Sequence, residues 1–126
     1  MITVPPTPGQ RARAEQITAE ITAILTAVPY SLPGTLATRM LPCGRAGCRC
    51  HADPPRLHGP YHQWTRKDSA RTITRILGDD QATDYAPWFD NHKRIRQLLA
   101  ELEQISIDIS ENDPRRKRRR PRRRPT

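Results

Sequence analysis

The sequence predicts an α+β fold: an N-terminal helix, a small three-stranded antiparallel sheet with a zinc-knuckle-like Cys/His loop, a long C-terminal helix and a disordered Arg-rich tail. Three observations predict it. Apolar residues recur at steps of three and four in two well-separated stretches. Between those stretches lie short runs rich in β-branched residues, bounded by Pro and Gly. All three cysteines and two of the four histidines fall between the first and second of these runs.

The elements follow in order. Ala14, Ile17, Ile21, Ile24 and Val28 form the first stripe, so a helix is expected from Gln10 to Val28, ending before "PYSLPG". "GTLATRML" (34–41) reads as a strand. "PYHQWTRK" (60–67) and "RTITRIL" (71–77) read as two more, joined through Asp68-Ser69-Ala70 as a hairpin. On the last strand Arg71, Ile73 and Arg75 share one face, and Thr72, Thr74 and Ile76 the other. A long helix is expected from Asp80 to about Ser110, where Trp88, His92, Ile95, Leu98 or Leu99, Leu102, Ile105 and Ile109 form a coiled-coil-like seam. Pro87 near its start marks a short first turn or a kink.

The two helices differ in length. Packed antiparallel, they would leave the last turns of the longer one overhanging, with Ile105 and Ile109 exposed. A homodimer through the C-terminal helix would cover them; the alternative is that this helix frays after Gln104.

A chain of 126 residues with 35% hydrophobic and 5% aromatic residues is poor in core-forming material. Such a domain relies on a staple or a partner, or leaves part of itself unfolded. The expected organisation is a disordered N-terminus (1–9), one metal-stapled domain (10–112) and a disordered basic tail (113–126), with no internal repeat. No secretory signal and no apolar run of roughly 20 residues are seen. Three clustered cysteines do not form an extracellular disulfide framework. The expectation is a cytoplasmic protein with reduced thiols, nucleoid-associated if it binds DNA.

The net charge of +9 is unevenly placed. Nine of the ten residues from Arg115 to Arg124 are basic: Arg115, Arg116, Lys117, Arg118, Arg119, Arg120, Arg122, Arg123 and Arg124. The remainder of the chain is formally neutral, with thirteen basic and thirteen acidic groups. Within it, residues 37–76 carry eight basic and two acidic groups, whereas residues 77–114 carry three basic and nine acidic ones.

The chemistry is concentrated in "LPCGRAGCRCHADPPRLHGPYHQW". Four residues separate Cys43 from Cys48, one separates Cys48 from Cys50, and seven separate Cys50 from His58. Thiolates and an imidazole suit Zn²⁺, which takes them at about 2.3 Å and about 2.0–2.1 Å in a closed tetrahedron. Gly44 and Gly47 would let the loop bend sharply, and Pro54, Pro55 and Pro60 would stiffen its return. The expected ligands are Cys43, Cys48, Cys50 and His58. His51 is the alternative fourth ligand and His62 a third candidate. Buried inert thiols and a redox or catalytic thiol are competing readings, although little around these cysteines is apolar.

"CGRAGCRC", then "LHGPY" and a Trp, then a Thr/Arg strand and a helix near "PWFDN" resemble a small bacterial family known only as a domain of unknown function. The resemblance covers about Leu36 to Ile107. Carried over position by position, it singles out Cys43, Gly44, Gly47, Cys48, Cys50, His58, Gly59, Pro60 and Tyr61, and it favours His58 over His51. The family's association with mobile elements implies a DNA or RNA context without naming an activity. The arginine tail goes beyond the family pattern.

The tail reads as a solvated arm that binds nucleic acid without sequence preference. Competing readings are a tail that folds back on the acidic helix, an anionic membrane or an acidic protein. Any specificity is expected from Arg45 and Arg49 beside the metal loop and from Arg71 and Arg75 with Arg66 opposite, among Trp64 and Tyr61. Trp64 is first a core residue and second a contact; Trp88, Phe89 and His92 read as packed. No phosphate cradle, HExxH, GxSxG or small-molecule site is evident. The leading expectation is therefore a zinc-stabilised nucleic-acid-binding accessory or regulatory protein, not an enzyme. A protein–protein adaptor or dimerisation module is the alternative, and a zinc-dependent hydrolase a remote one.

Overall fold

The computed structural model describes residues 5–117. Helix α1 spans Pro8–Ala27, strand β1 Thr35–Leu41, strand β2 His58–Asp68, strand β3 Arg71–Leu77 and helix α2 Asp79–Glu111. A single 3-10 turn, Arg49–His51, lies in the loop between β1 and β2. The strands form one antiparallel sheet in the order β1-β2-β3. The α+β architecture read from the sequence is the one found.

Helix α1 starts two residues earlier than periodicity indicates, and its cap explains why. The Thr7 hydroxyl accepts from the Gln10 amide at 3.2 Å, and the Gln10 side chain accepts from the Thr7 amide at 2.9 Å. This reciprocal capping box needs no apolar residue, so the stripe does not reveal it. Pro8 fills the first helical position, where a missing N–H costs nothing.

The chain divides into two compact units, one of residues 24–94 and the other of the flanking segments. In the flanking unit, Ile17 of α1 and Leu98 of α2 are both fully buried. Leu98 rather than Leu99 therefore occupies the seam; Leu99 is exposed. The Arg13 guanidinium donates to both carboxylate oxygens of Glu101 at 2.6 Å. Helix α2 does not fray after Gln104 but runs to Glu111, and Ile105 and Ile109 are half-buried within the single chain rather than exposed.

In the unit of residues 24–94, Asn91 of α2 donates to the carbonyls of Val28 and Tyr30, and the Leu32 amide donates to Trp88. These bonds hold the α1–β1 connector. Tyr30 and Tyr85 both stack on Trp88, with ring centroids at 4.6 and 4.8 Å. The helix passes through Pro87 without ending.

The β2–β3 hairpin is tighter than expected. Asp68 pairs with Arg71, leaving a two-residue loop in which Ser69 takes a φ of 57°. Register then assigns the faces. Leu36, Trp64 and Arg75 are neighbours across the sheet, as are Thr38, His62 and Leu77, and Arg66 lies opposite Ile73. Trp64 meets Phe89 of α2 edge-on at 5.9 Å, so this is the face the helix covers. The other face carries Arg39, Tyr61, Gln63, Lys67 and Ile76, an alanine and four threonines. Among the described residues no helix is long and apolar enough to cross a membrane.

Candidate metal centre

The Cys/His loop opens and closes at one end of the sheet. Leu41, the last residue of β1, pairs with His58, the first of β2. Cys43 and His58 are thereby held close although fourteen residues separate them. Between them the chain turns twice. The Cys48 amide donates to the Arg45 carbonyl at 3.2 Å, and the 3-10 turn follows, with the His51 amide donating to Cys48 at 3.0 Å. The Arg49 carbonyl accepts from both Ala52 and Arg56 at 3.1 Å, which fastens the return path.

This folding gathers four ligand atoms. The Sγ atoms of Cys43, Cys48 and Cys50 and a ring nitrogen of His58 all lie within 4.8 Å of one another. Cys43 and Cys50 Sγ are 3.5 Å apart, and Cys48 Sγ is 3.2 Å from His58 Nε2. A tetrahedral zinc with the usual bond lengths has edges of roughly 3.5–3.8 Å, so the four atoms fit one small ion. No disulfide links them. Cys50 is buried at 2% exposure, while Cys43, Cys48 and His58 are half-buried and line an open depression of about 450 Å³ together with Gly44, Arg45 and Tyr61.

The thiols are electrostatically unequal. The Cys48 thiol is pushed down to about 6, chiefly by the Cys50 backbone N–H and then by His58 and the Cys50 side chain. Burial pushes the Cys50 thiol up. Thiolate character is what a metal requires of its ligands.

The other histidines have different employment. His51 Nε2 lies 2.8 Å from the Cys43 carbonyl, which can only accept, so this nitrogen carries the proton. His51 braces the backbone of a cluster residue and is not part of the cluster. His62 pairs with Asp79 at 2.8 Å. His92 Nδ1 lies 3.4 Å from the Ser31 hydroxyl.

The glycine expectation needs correcting. A Cβ on Gly44 or Gly47 would meet nothing within 4 Å, and neither glycine has positive φ. The demanding position is Gly59, beside His58, with φ of 133°. A Cβ there would approach the Arg39 carbonyl at 2.9 Å and Met40 Sδ at 3.0 Å. The β1 register shifts between Arg39 and Leu41 at this point. The bulge and the glycine together let the strands pass closely while His58 faces the cysteines.

The expected basic surface is divided rather than continuous. Arg45 and Arg49 are exposed on the loop. Arg66, Arg71 and Arg75 share the helix-covered face through their register with Ile73, Asp68 and Trp64. The Arg66 guanidinium sits 5.5 Å from the Trp64 ring centre, and Arg75 donates to the Thr74 carbonyl. Trp64 also donates its indole N–H to the Pro33 carbonyl at 2.8 Å, as a packed tryptophan does. Tyr61 lies on the opposite face. In the tail, Arg115 forms a bidentate pair with Asp113, and Arg116 meets Glu111 at 3.3 Å. Lys117 is exposed; Arg118, Arg119, Arg120, Arg122, Arg123 and Arg124 lie outside the described residues.

No curated protein and no solved structure matches the chain. A family model does, and it runs from α1 through the sheet and the Cys/His loop into the first turns of α2, stopping short of the seam and tail. Matched over residues 10–86, the chain belongs to the DUF6788 family, a domain of unknown function.

Proposed function

We propose that this chain is a small zinc-stapled nucleic-acid-binding accessory or regulatory protein. Zn²⁺ would be held by Cys43, Cys48, Cys50 and His58, whose clustering supports the assignment. Three sulfurs and one nitrogen complete a tetrahedron, so the ion would hold loop and sheet together and leave no position for a substrate. Such sites bind zinc with on the order of 10–16 kcal/mol in peptides, enough to decide whether a core-poor domain folds. The reading is accordingly of a binder, not an enzyme.

One observation carries the nucleic-acid reading: nine of ten residues from 115 to 124 are basic on a chain whose remainder is neutral. Such an arm gains affinity for a polyphosphate by releasing counterions. Residues 37–76 add a second basic segment, whereas residues 77–114 carry an acidic surplus that phosphate would repel. The test is electrophoretic mobility of duplex and single-stranded DNA and RNA with the full chain and with residues 115–126 deleted. Full-chain binding that weakens with salt and drops on deletion supports the reading; no binding at low salt by the zinc-loaded full chain refutes it.

A protein contact through α2 is the second reading, favoured by Leu99 and Ile107, which are both exposed and eight residues apart on one helical face. Either a second copy or another protein would cover them. Native mass spectrometry of the full chain separates monomer from homodimer.

A further inference from the structure

We infer that the open face of the sheet, not its arginine-bearing opposite, is a docking surface for single-stranded nucleic acid, with Tyr61 as the base-stacking residue and Arg39, Lys67 and Arg45 as phosphate contacts. The inference rests on the nucleic-acid reading above and gives it a location.

Register supplies the first observation. Arg39 pairs with Tyr61, and Lys67 with Thr72, so these side chains emerge on the face away from Phe89. None of the ten residues on that face is acidic. Exposure supplies the second. Tyr61 and Ile76 are exposed large side chains, and Arg39 and Lys67 are exposed cations with no ion-pair partner among the described residues. Continuity supplies the third: Tyr61 also lines the depression of about 450 Å³ at the cysteine cluster, and Arg45 lines its wall. Cations thus flank Tyr61 on two sides.

The chemistry matches one occupant. From Tyr61 to Lys67 along β2 is about 20 Å, room for several nucleotides of an extended strand. Single-stranded binding combines a cationic track with an aromatic platform, and stacking tolerates any base because every base has a π-face. Threonine hydroxyls and the Gln63 amide add hydrogen-bonding groups between the cations. The opposite face is blocked at its centre, where Phe89 of α2 meets Trp64 edge-on and the Arg66 guanidinium sits 5.5 Å from the centre of that ring. Arg71 and Arg75 are exposed at its margin. A duplex presents no unstacked base, so Tyr61 would gain nothing from it.

The experiment is fluorescence anisotropy with zinc-loaded full-length protein and labelled dT12, rU12 and a 12-base-pair DNA duplex at about 50 and about 150 mM salt. Tyr61→Ala should weaken binding of dT12 or rU12 by about 30-fold, the middle of the range for losing one stacked base. The double variant Arg39→Ala/Lys67→Ala should weaken it comparably and flatten its salt dependence. Arg71→Ala/Arg75→Ala should change it less than about twofold. Tyr61→Phe, which keeps the ring, should restore wild-type affinity, and far-UV circular dichroism with zinc content shows that each variant is folded.

Equal losses from the two double variants, or losses confined to Arg71→Ala/Arg75→Ala, overturn the assignment of the face while leaving nucleic-acid binding intact. A Tyr61→Ala loss as large on the duplex as on dT12 and rU12 overturns the single-strand assignment. Absence of binding by the wild-type protein to all three probes overturns the broader reading and this one with it.

Discussion

Cys48 and His58 are ten residues apart in the chain, yet Cys48 Sγ lies 3.2 Å from His58 Nε2. The contact exists because β1 and β2 meet at Leu41 and His58, directly below the loop. His51, only three residues from Cys48, instead bonds the Cys43 carbonyl. Sequence proximity to the cysteines and membership of the cluster are therefore different properties. His58→Ala should abolish tight zinc retention. His51→Ala, which removes an outer hydrogen bond, should lower affinity by about 10–100-fold. Competition with a chromophoric chelator checks both; equal losses would mean that His51 and not His58 alone completes the site.

Acid should dismantle the cluster from a defined side. In the metal-stripped protein the Cys48 thiol lies at about 6, below its ordinary value. The folded state then binds fewer protons than the unfolded one across the interval between those values. The resulting stability is present above the unfolded value and is lost as pH falls through about 6. Iodoacetamide should accordingly modify Cys48 first, with its rate rising around pH 6, while Cys50, shifted upward by burial, lags. Peptide mapping after timed alkylation reads this directly. Cys50 reacting first would contradict the arrangement.

Glycine substitutions should separate backbone need from sequence appearance. Gly59→Ala forces a side chain into positive φ and against the Arg39 carbonyl, beside His58 of the cluster. It should cost about 1–3 kcal/mol and weaken zinc binding with it. Gly44→Ala and Gly47→Ala open onto free space and should lie within about 0.5 kcal/mol of wild type. Urea denaturation of the zinc-loaded variants measures all three. Gly34→Ala is a further sensitive site, because its Cβ would overlap the Thr65 carbonyl oxygen at φ of 99°.

The same reasoning shows where the sequence is legible. The α1 stripe and the α2 seam are plain because one face of each helix is shielded, and Ile17 and Leu98 mark its deepest points. The three cysteines are visible because thiols beside glycines and arginines have no packing role to fill, whereas His58 is set apart from His51 by the β1–β2 pairing at Leu41. The resemblance singles out Gly59 without a reason, since its backbone demand arises from the bulge in a strand twenty residues earlier. Alternation shows that Arg71 and Arg75 share a face but not which face is covered, because Ile73 and Ile76 make both faces of β3 half-apolar. Phe89 decides that, through Trp64.

Core and surface contacts in the flanking unit should differ several-fold in cost. Ile17→Ala removes a fully buried side chain and should cost about 2–5 kcal/mol. Arg13→Ala breaks a bidentate pair with Glu101, but both side chains are more than a third exposed, so the loss should stay within about 1 kcal/mol. Chemical denaturation of the full chain gives both numbers. An Arg13→Ala cost matching that of Ile17→Ala would show that the ion pair, not the apolar stripe, holds these helices.

The arm should deliver fewer phosphate contacts than its charge suggests. Arg115 is held by Asp113, whose carboxyl that guanidinium pushes down to about 2, and Arg116 is held by Glu111. Those two cations are already paired with carboxylates, leaving seven of the nine basic residues of 115–124 unpaired for a polyanion if both pairs persist on DNA. Each phosphate contact on B-DNA contributes about −0.9 to the slope of log affinity against log salt, so deleting residues 115–126 should reduce the slope by about 6 rather than about 8. Asp113→Asn with Glu111→Gln releases both arginines and should steepen the full-length slope by nearly 2. Anisotropy with a DNA duplex across a salt series measures each slope. An unchanged slope in the double variant would mean that the two acidic residues give way when DNA arrives, and that all nine cations already reach it.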